Sequence, residues 1–454
     1  MPSDRHARIA AAIAALSTLS PFSALADQDA RATQDEGTPP QEQVADQPDE
    51  ELDRRIRTIL AEILLSQTKQ DPEEIELRTI YDDGFYLIGP DDLLKIGGWA
   101  QFDFRGFEEG HPGNTEFLVR RARLDLRGVL ENDFAYRLYG GYEGSSAKLI
   151  EAWLEYRKYP ALRVRAGQIK EPFSLEASYS ARWIDFVERA LGPTNLAPFE
   201  DIGVQVFGTV LDGNIEYAVG VFNGSGRNAS ETNDDKDVAA RISLRPFHDS
   251  EKPWMEGLYF GGSATVGQQD ASIADLTYRT AARTPFVTFA PGVTHDGLHV
   301  RAGAELEWLI GPFGLKSEFV LSRREDVGLG AVREDAESRA WYVSLTYLLT
   351  GEEQRRNKPV IPKQNFDPAA SGWGAWELRV RYEEFDSDEE IFSAGLATGT
   401  DRIRVLSGGV TWWPNIHTKA MLDVVFSDFD DDIVVEGQAL SDEIVVLMRL
   451  QFDF

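Results

Sequence analysis

From Leu93 to the C-terminus the chain alternates apolar and polar residues in short runs, the period of a half-buried strand. In the first run Ile96, Ala100, Phe102 and Phe104 share one face, and Lys95, Gln101, Asp103 and Arg105 the other. The last run sets Ile444, Val446, Met448, Leu450, Phe452 and Phe454 against Glu443, Arg449, Gln451 and Asp453. Trp376, Leu378, Val380 and Tyr382 likewise oppose Glu377, Arg379, Arg381 and Glu383. Sixteen such runs begin near residues 93, 116, 133, 148, 161, 201, 215, 237, 257, 297, 313, 337, 373, 400, 417 and 441. Most extend roughly nine to fourteen residues, enough for a tilted strand to cross a bilayer.

A soluble sandwich alternates in the same way, so three further features decide the class. Tight connections (158–160, 212–214, 311–314, 414–416) alternate with long polar ones, the asymmetry of periplasmic turns and outer loops; 247–256 and 351–372 are exceptions. Tyr156, Trp308, Trp373, Trp376, Trp412 and Trp413 gather at strand ends, as an interfacial girdle requires. The chain stops on a strand, at Phe454. The pattern predicts an all-β, transmembrane antiparallel β-barrel of about 16 strands over residues 93–454.

One stretch breaks the period. Between Ile169 and Gly203, Trp183, Phe186, Val187, Ala190 and Leu191 recur at helical spacing, with Gly192-Pro193 as a stop. The spacing predicts a helix over 183–191, in an insertion at about 171–201 that folds into the barrel as a constriction, with Glu188 and Arg189 facing the pore.

The N-terminal part reads differently. Residues 1–26 have a basic start, a small apolar core and an Ala24-Leu25-Ala26 ending, the form of a signal peptide, so export to a Gram-negative outer membrane is expected. Residues 27–50 have the composition of an acidic disordered tether. Within 51–70, Leu52, Ile56, Ile59 and Ile63 predict a short periplasmic helix, either a trimeric coiled coil or a helix packed on its own domain.

Composition removes other chemistries. The chain has no cysteine, and its six histidines form no H-E-x-x-H pattern; His295 and His299 lie near a strand entry, so no metal site is expected. There is no G-x-S-x-G for a barrel lipase, and Gly224 to Ala229 is a chance glycine-rich match in a polar loop. An enzyme, a cofactor and a nucleic-acid partner are therefore not expected. The formal charge of −30 comes from loops such as Asp234-Asp235, Asp386 to Glu390 and Asp428 to Asp432. Acidic loops suit divalent bridging to lipopolysaccharide in the outer-membrane lipid; a calcium site at 428–432 is the sharper reading and a solvated loop the plainer one.

With apolar residues toward lipid, the opposite face is the pore lining. On the second run Arg121, Arg123, Asp125 and Arg127 point inward, and Leu118, Leu124 and Leu126 outward. Strict alternation sends Arg120 to lipid, so it must lie above the hydrocarbon, sit at a bulge or meet another subunit. Arg137, Arg163, Arg165, Arg241, Arg245, Arg301, Arg379 and Arg381 add to the inward set. Guanidinium rings make anion-selective pores. The plainer alternative is that these arginines pair with Asp125, Glu151, Glu155 and Glu377 and hold the wall.

At Lys95-Ile96-Gly97-Gly98, Val119-Arg120-Arg121-Ala122-Arg123-Leu124, Glu151-Ala152-Trp153-Leu154, Phe173-Ser174-Leu175-Glu176, Glu188-Arg189, Leu349-Thr350-Gly351-Glu352, Gly374-Ala375-Trp376-Glu377-Leu378 and Met448-Arg449-Leu450-Gln451-Phe452, the chain resembles the phosphate-selective porin O and P family. The resemblance implies a homotrimer of sixteen-stranded barrels with an inward third loop, taking inorganic phosphate or other small anions. It assigns the binding-zone arginines to Arg120 and Arg121 and the loop arginine to Arg189, beside Arg123 and Arg127. The outer arginine ladder reduces to Arg279 and Arg283. Departures are Trp99 where the family carries an arginine, Ile150 for an aspartate and Ala177 for a lysine. A general or organic-solute porin, and an adhesin or anchor without transport, are the competing functions.

Overall fold

The computed structural model describes residues 78–454, apart from 82–83, 90–91, 144–145, 232 and 275. The signal peptide, tether and coiled coil expected over 1–70 lie outside the described residues. Sixteen antiparallel strands form the wall: β3 (Leu93–Phe107), β4 (Glu116–Leu130), β5 (Phe134–Glu143), β6 (Ser146–Tyr159), β7 (Leu162–Lys170), β8 (Glu200–Val210), β9 (Ile215–Phe222), β10 (Asp237–Leu244), β11 (Leu258–Ser272), β14 (Thr294–Ile310), β15 (Phe313–Leu329), β16 (Val332–Leu348), β17 (Ala375–Ser387), β19 (Arg402–Asn415), β20 (Thr418–Val435) and β21 (Gln438–Asp453). Each pairs with the next, and β21 returns to β3 from Val445↔Phe107 to Asp453↔Trp99, which closes the barrel. Closure removes the unpaired edge that a bilayer does not tolerate.

The chain ends before the inner edge of β3 is fully paired. A hairpin not anticipated from the sequence, β1 (Arg78–Tyr81) and β2 (Phe85–Ile88), takes over there, with Phe85↔Ile96 through Ile88↔Leu93. Tyr86, Ile88, Leu93 and Val129 are buried together beneath it.

Exposed side chains on the outer wall are apolar, among them Leu124, Leu138, Leu154, Val204, Val219, Phe260, Val380 and Leu450, as lipid contact requires. Trp376 stacks on Trp412 at 5.8 Å and Phe366 meets Trp412 at 5.0 Å, at the short-turn end. Trp413 does not join this girdle. It is buried, faces inward and stacks with Trp183 at 6.3 Å, because alternation places it opposite its neighbour Trp412.

In the outer half of the barrel the lumen is partly filled. The connections 171–199, 273–293 and 388–401 turn inward, and β12 (Thr277–Arg279), β13 (Pro285–Phe289) and β18 (Ala397–Gly399) pair into a small sheet within them. Phe173, Leu191, Leu196, Tyr278, Phe286, Phe289, Ile391 and Leu396 pack there against Val320, Ala340, Phe385, Val405, Val425 and Phe429 of the wall. This apolar core packs on the wall strands from β15 to β21.

The inserted loop does not form the helix expected over 183–191. It has single turns at α1 (Leu175–Ser178) and α2 (Leu191–Asn195), and Gly192-Pro193 lies inside the second turn instead of ending a helix. The cause is competition for backbone donors. The N–H groups of Leu175 and Glu176 donate to Glu318, that of Val187 to Asp423, that of Ala190 to Glu176 and that of Leu191 to Glu383. Wall carboxylates and, for Ala190, a carboxylate of the loop itself thus take donors that a helix would have used internally. The apolar residues still pack inward: Phe186 and Val187 are buried, and the guanidiniums of Arg379 and Arg381 lie over the Phe186 ring at 5.0 and 4.4 Å.

Candidate functional site

The site begins with a break in β4. Gln101 of β3 faces Arg121, but the next residue, Phe102, faces Val119. Arg120 is the extra residue of a β-bulge, and a bulge re-aims a side chain. Both Arg120 and Arg121 therefore turn into the lumen, and both are buried. The bulge also reverses the parity above it. Phe117 and Val119 face lipid, and Leu118, expected outward, shares the inner face with Asp103.

Glu188 of the inserted loop meets these arginines. Arg120 donates to its two oxygens at 2.7 and 3.3 Å, Arg449 lies 3.6 Å away and Arg121 3.9 Å. Glu188 thus faces the wall, contrary to the expected pore-facing orientation, because three guanidiniums stand there. Arg449, itself paired with Asp103 at 2.8 and 2.7 Å, enters the cluster from β21. Arg121 has a looser setting, with a hydrogen bond to Gln101 at 2.9 Å and Glu143 at 3.7 Å. Arg123 lies 3.3 Å from Glu143.

The remaining expected residues are distributed around this centre. Arg127 sits deeper, 3.6 Å from Asp125, and does not join the cluster. Arg189 bends back into its own loop, donating to the carbonyls of Glu176 and Tyr179 at 2.9 and 2.8 Å. Arg279 and Arg283 belong to the inward hairpin of 273–293, where Arg279 donates to the Arg283 carbonyl at 3.0 Å. Enclosure in the barrel mouth, then the neighbouring guanidiniums of Arg120, Arg279 and Arg105 against one opposing Glu188, lower the Arg283 pKa from its ordinary value.

Other inward arginines serve the wall. Arg137 bridges Asp125 at 2.8 Å and Glu151 at 3.0 Å, and Arg163 and Arg165 share Glu155. Arg241 pairs with Glu305 at 2.6 Å and Arg379 with Asp423 at 2.7 Å. Glu377, expected as an arginine partner, instead accepts from Gln354 at 2.8 Å. Three participants carried no local signal: Glu143, Arg227 and Arg356. Arg227, in the connection 223–236, reaches Glu143 at 3.1 Å. Arg356, in the long inner link 349–374, binds Glu307 at 2.9 Å and Glu216 at 3.1 Å over the Tyr259 ring. Next to it, Asn357 accepts the N–H of Ser180 at 2.9 Å, so the inner link and the inserted loop meet inside the barrel.

Comparison with known proteins decides the family. The model of the phosphate-selective porin O and P family matches residues 94–454. The chain belongs to that family. As a family member with this closed barrel, it is an outer-membrane porin that passes small solutes. The porin is 24% identical to Porin O of Pseudomonas aeruginosa over 388 residues, 75% of this chain and 85% of the relative. Among solved structures, OmpT of Vibrio cholerae superposes with a TM-score of 0.53 at 10% identity, covering 81% of this chain and 100% of that one. The outer-membrane channel DcaP of Acinetobacter baumannii gives 0.52 at 14%, covering 80% and 97%. The same OmpT is also known in a trimer form, which matches with a TM-score of 0.52 at 10% identity over 80% of this chain and 99% of that one.

Two of the positions at which the resemblance implies a charged residue occupy one place. Trp99 and Ile150 pack together with Tyr139, and Ala181 of the inserted loop rests on them. Trp99 donates to the Tyr139 hydroxyl at 3.0 Å. Ala177 lies buried in α1, its N–H capped by the Ser174 hydroxyl. Where the resemblance would place an arginine, an aspartate and a lysine, this porin has dry contacts that seat the loop.

Proposed function

We infer that the porin is a passive diffusion channel preferring small anions, inorganic phosphate or polyphosphate in class, and not an enzyme. The observation that carries this reading is the convergence of Arg120, Arg121 and Arg123 on one point inside the barrel, within 3.3 to 3.7 Å of Glu143, with Arg279 and Arg283 on an inward hairpin. Guanidiniums stay charged throughout the physiological range and bind oxyanions through paired N–H donors. Arg279 and Arg283 collect the anion at the mouth, the cluster holds it, and the Glu188–Arg120 pair keeps the inserted loop at the width that enforces contact. Arg189 braces this loop, and Arg127 with Asp125 continues the polar path inward.

The site tests this directly. Reconstituted porin in planar bilayers is expected to pass chloride over potassium and to lose chloride current as inorganic phosphate is added; cation preference without phosphate block would refute the reading. A general or organic-solute pore is the second reading, favoured by the apolar cluster at Trp99, Tyr139 and Ile150. Size-limited swelling of liposomes in neutral sugars would support it.

A homotrimer fits the unequal wall. Strands β7, β9 and β10 have 9, 8 and 8 residues, against 17 in each of β14, β15 and β16. A low apolar wall suits contact with a second copy better than a full-thickness lipid face. Export through residues 1–26 and lipopolysaccharide contact by the acidic loops complete the proposal.

A further inference from the structure

A carboxylate stands at the centre of the arginine cluster. Glu143 is the last residue of β5, and its oxygens lie 3.1 Å from Arg227, 3.3 Å from Arg123, 3.5 Å from Arg120 and 3.7 Å from Arg121. Three of these guanidiniums come from β4 and the fourth from a different connection, so they surround one point from two sides. Arg120 also grips Glu188 and Arg227 lies 3.4 Å from Glu200, so these four guanidiniums share three carboxylates and keep one positive charge in excess.

The geometry separates Glu143 from the structural pairs of the barrel. Glu188 is gripped by two nitrogens of Arg120, and Asp125 by two nitrogens of Arg137 at 2.8 Å each. Glu143 has no two-pronged partner of that kind. Its side chain is 23% exposed, against 10% for Glu188 and 5% for Asp125. It accepts single hydrogen bonds from Arg227 at 3.1 Å and Arg120 at 3.5 Å, and summed charge supplies the rest of its hold. An oxyanion arriving through the mouth offers the same chemistry to the same donors, with more oxygens.

We propose that Glu143 is the resident anion of the pore and a determinant of its selectivity. Its carboxylate marks the point where Arg120, Arg121, Arg123 and Arg227 coordinate a passing oxyanion of the phosphate class, and competes with that oxyanion. The competition keeps the site weak enough to release what it binds, which conduction requires. The proposal rests on the anion-channel reading above.

The test compares chloride currents of the full-length porin in planar bilayers, titrated with inorganic phosphate. Glu143→Gln keeps the size and removes the charge. Its anion-to-cation permeability ratio is expected to rise, and the phosphate concentration that halves the current to fall at least tenfold. Asp133→Asn removes one charge near the short-turn end, where Asp133 meets Lys158, and is expected to change neither value. An unchanged or weakened phosphate block in Glu143→Gln, on a wild-type background that is anion-selective, overturns the proposal alone. Equal shifts in both variants overturn it too, since bulk charge would then explain the effect. A wild-type pore that prefers cations overturns the channel reading and the proposal with it. If Glu143→Gln does not assemble, Glu143→Asp replaces it; the shorter arm draws the carboxylate back from Arg227, and an intermediate fall is expected, with no fall as the refuting result.

Discussion

Arg121→Ala is the sharpest probe of the anion path, because its charge is poorly neutralised where it stands. Its hydrogen bond goes to the neutral amide of Gln101, and its nearest carboxylates are Glu143 at 3.7 Å and Glu188 at 3.9 Å, both shared with other arginines. A unit charge about 4 Å from a passing anion contributes about 1 kcal/mol in bulk water and about 4 kcal/mol at the effective dielectric of a protein surface. A narrowed, water-filled pore lies nearer the lower limit, at about 1–2 kcal/mol, and at 1.4 kcal/mol per decade this is about a 5- to 30-fold change in anion occupancy. Zero-current potentials across a salt gradient read the change as a fall in the chloride-to-potassium permeability ratio. Arg245→Ala is the matched control. Arg245 lies over Tyr259 at 5.3 Å, 3.6 Å from Glu256 at the inner rim, so its removal is expected to shift the ratio less than twofold. Equal effects from the two variants would refute the assignment of the selective site to β4.

The remaining predictions concern how the loop and the inner link are held. Glu318 accepts from the Ser174 hydroxyl, the N–H groups of Leu175 and Glu176, and the Tyr342 hydroxyl, at 2.6, 2.9, 2.8 and 2.8 Å. Glu318→Ala leaves buried donors unpaired, each at about 1–3 kcal/mol, and is expected to open the loop to limited proteolysis while the barrel stays heat-modifiable on gels; unchanged protection would count against the anchor. Arg356→Ala removes the cation that Glu216 and Glu307 share, so it should raise single-channel conductance and lower the stability of the barrel; an unaltered conductance would show that the inner link does not narrow the pore. Trp99→Arg puts a guanidinium against Tyr139 and Ile150 and should lower the melting temperature of the barrel. Adding Ile150→Asp should recover at least half of that loss, and additive losses would exclude direct coupling of the two positions.

The barrel was legible because a period of two runs through most of each wall strand, bulges such as that in β4 interrupting it only locally. The expected starts agree with the structure to within a few residues, the largest miss being 337 against Val332. Local pattern failed where distant groups took over the backbone. Nothing near residue 187 indicates that Asp423 will accept its N–H, or near 191 that Glu383 will, so a helical spacing was read as a helix. Arg120 was legible as an exception, since alternation sent a charge to lipid, and the bulge resolves it. Glu143 and Arg227 were not, because one ends a strand and the other sits in a polar loop. Only the closed sheet brings them to the same point.

The replacements at Trp99, Ile150 and Ala177 also bear on where the porin does its selecting. An arginine and an aspartate facing each other on a wall would neutralise one another and leave that level of the pore polar. Trp99 and Ile150 at 3% exposure, covered by Ala181, make the same level dry and press the loop against the wall. An anion gains nothing there. The least neutralised charge lies instead at Arg121, which has no carboxylate closer than 3.7 Å. Packing seats the loop at this level, and the proposed binding point stays with the arginines of the β4 bulge. A bulge is well suited to that task, since it turns two successive arginines to one side of a strand that could otherwise present only every second residue.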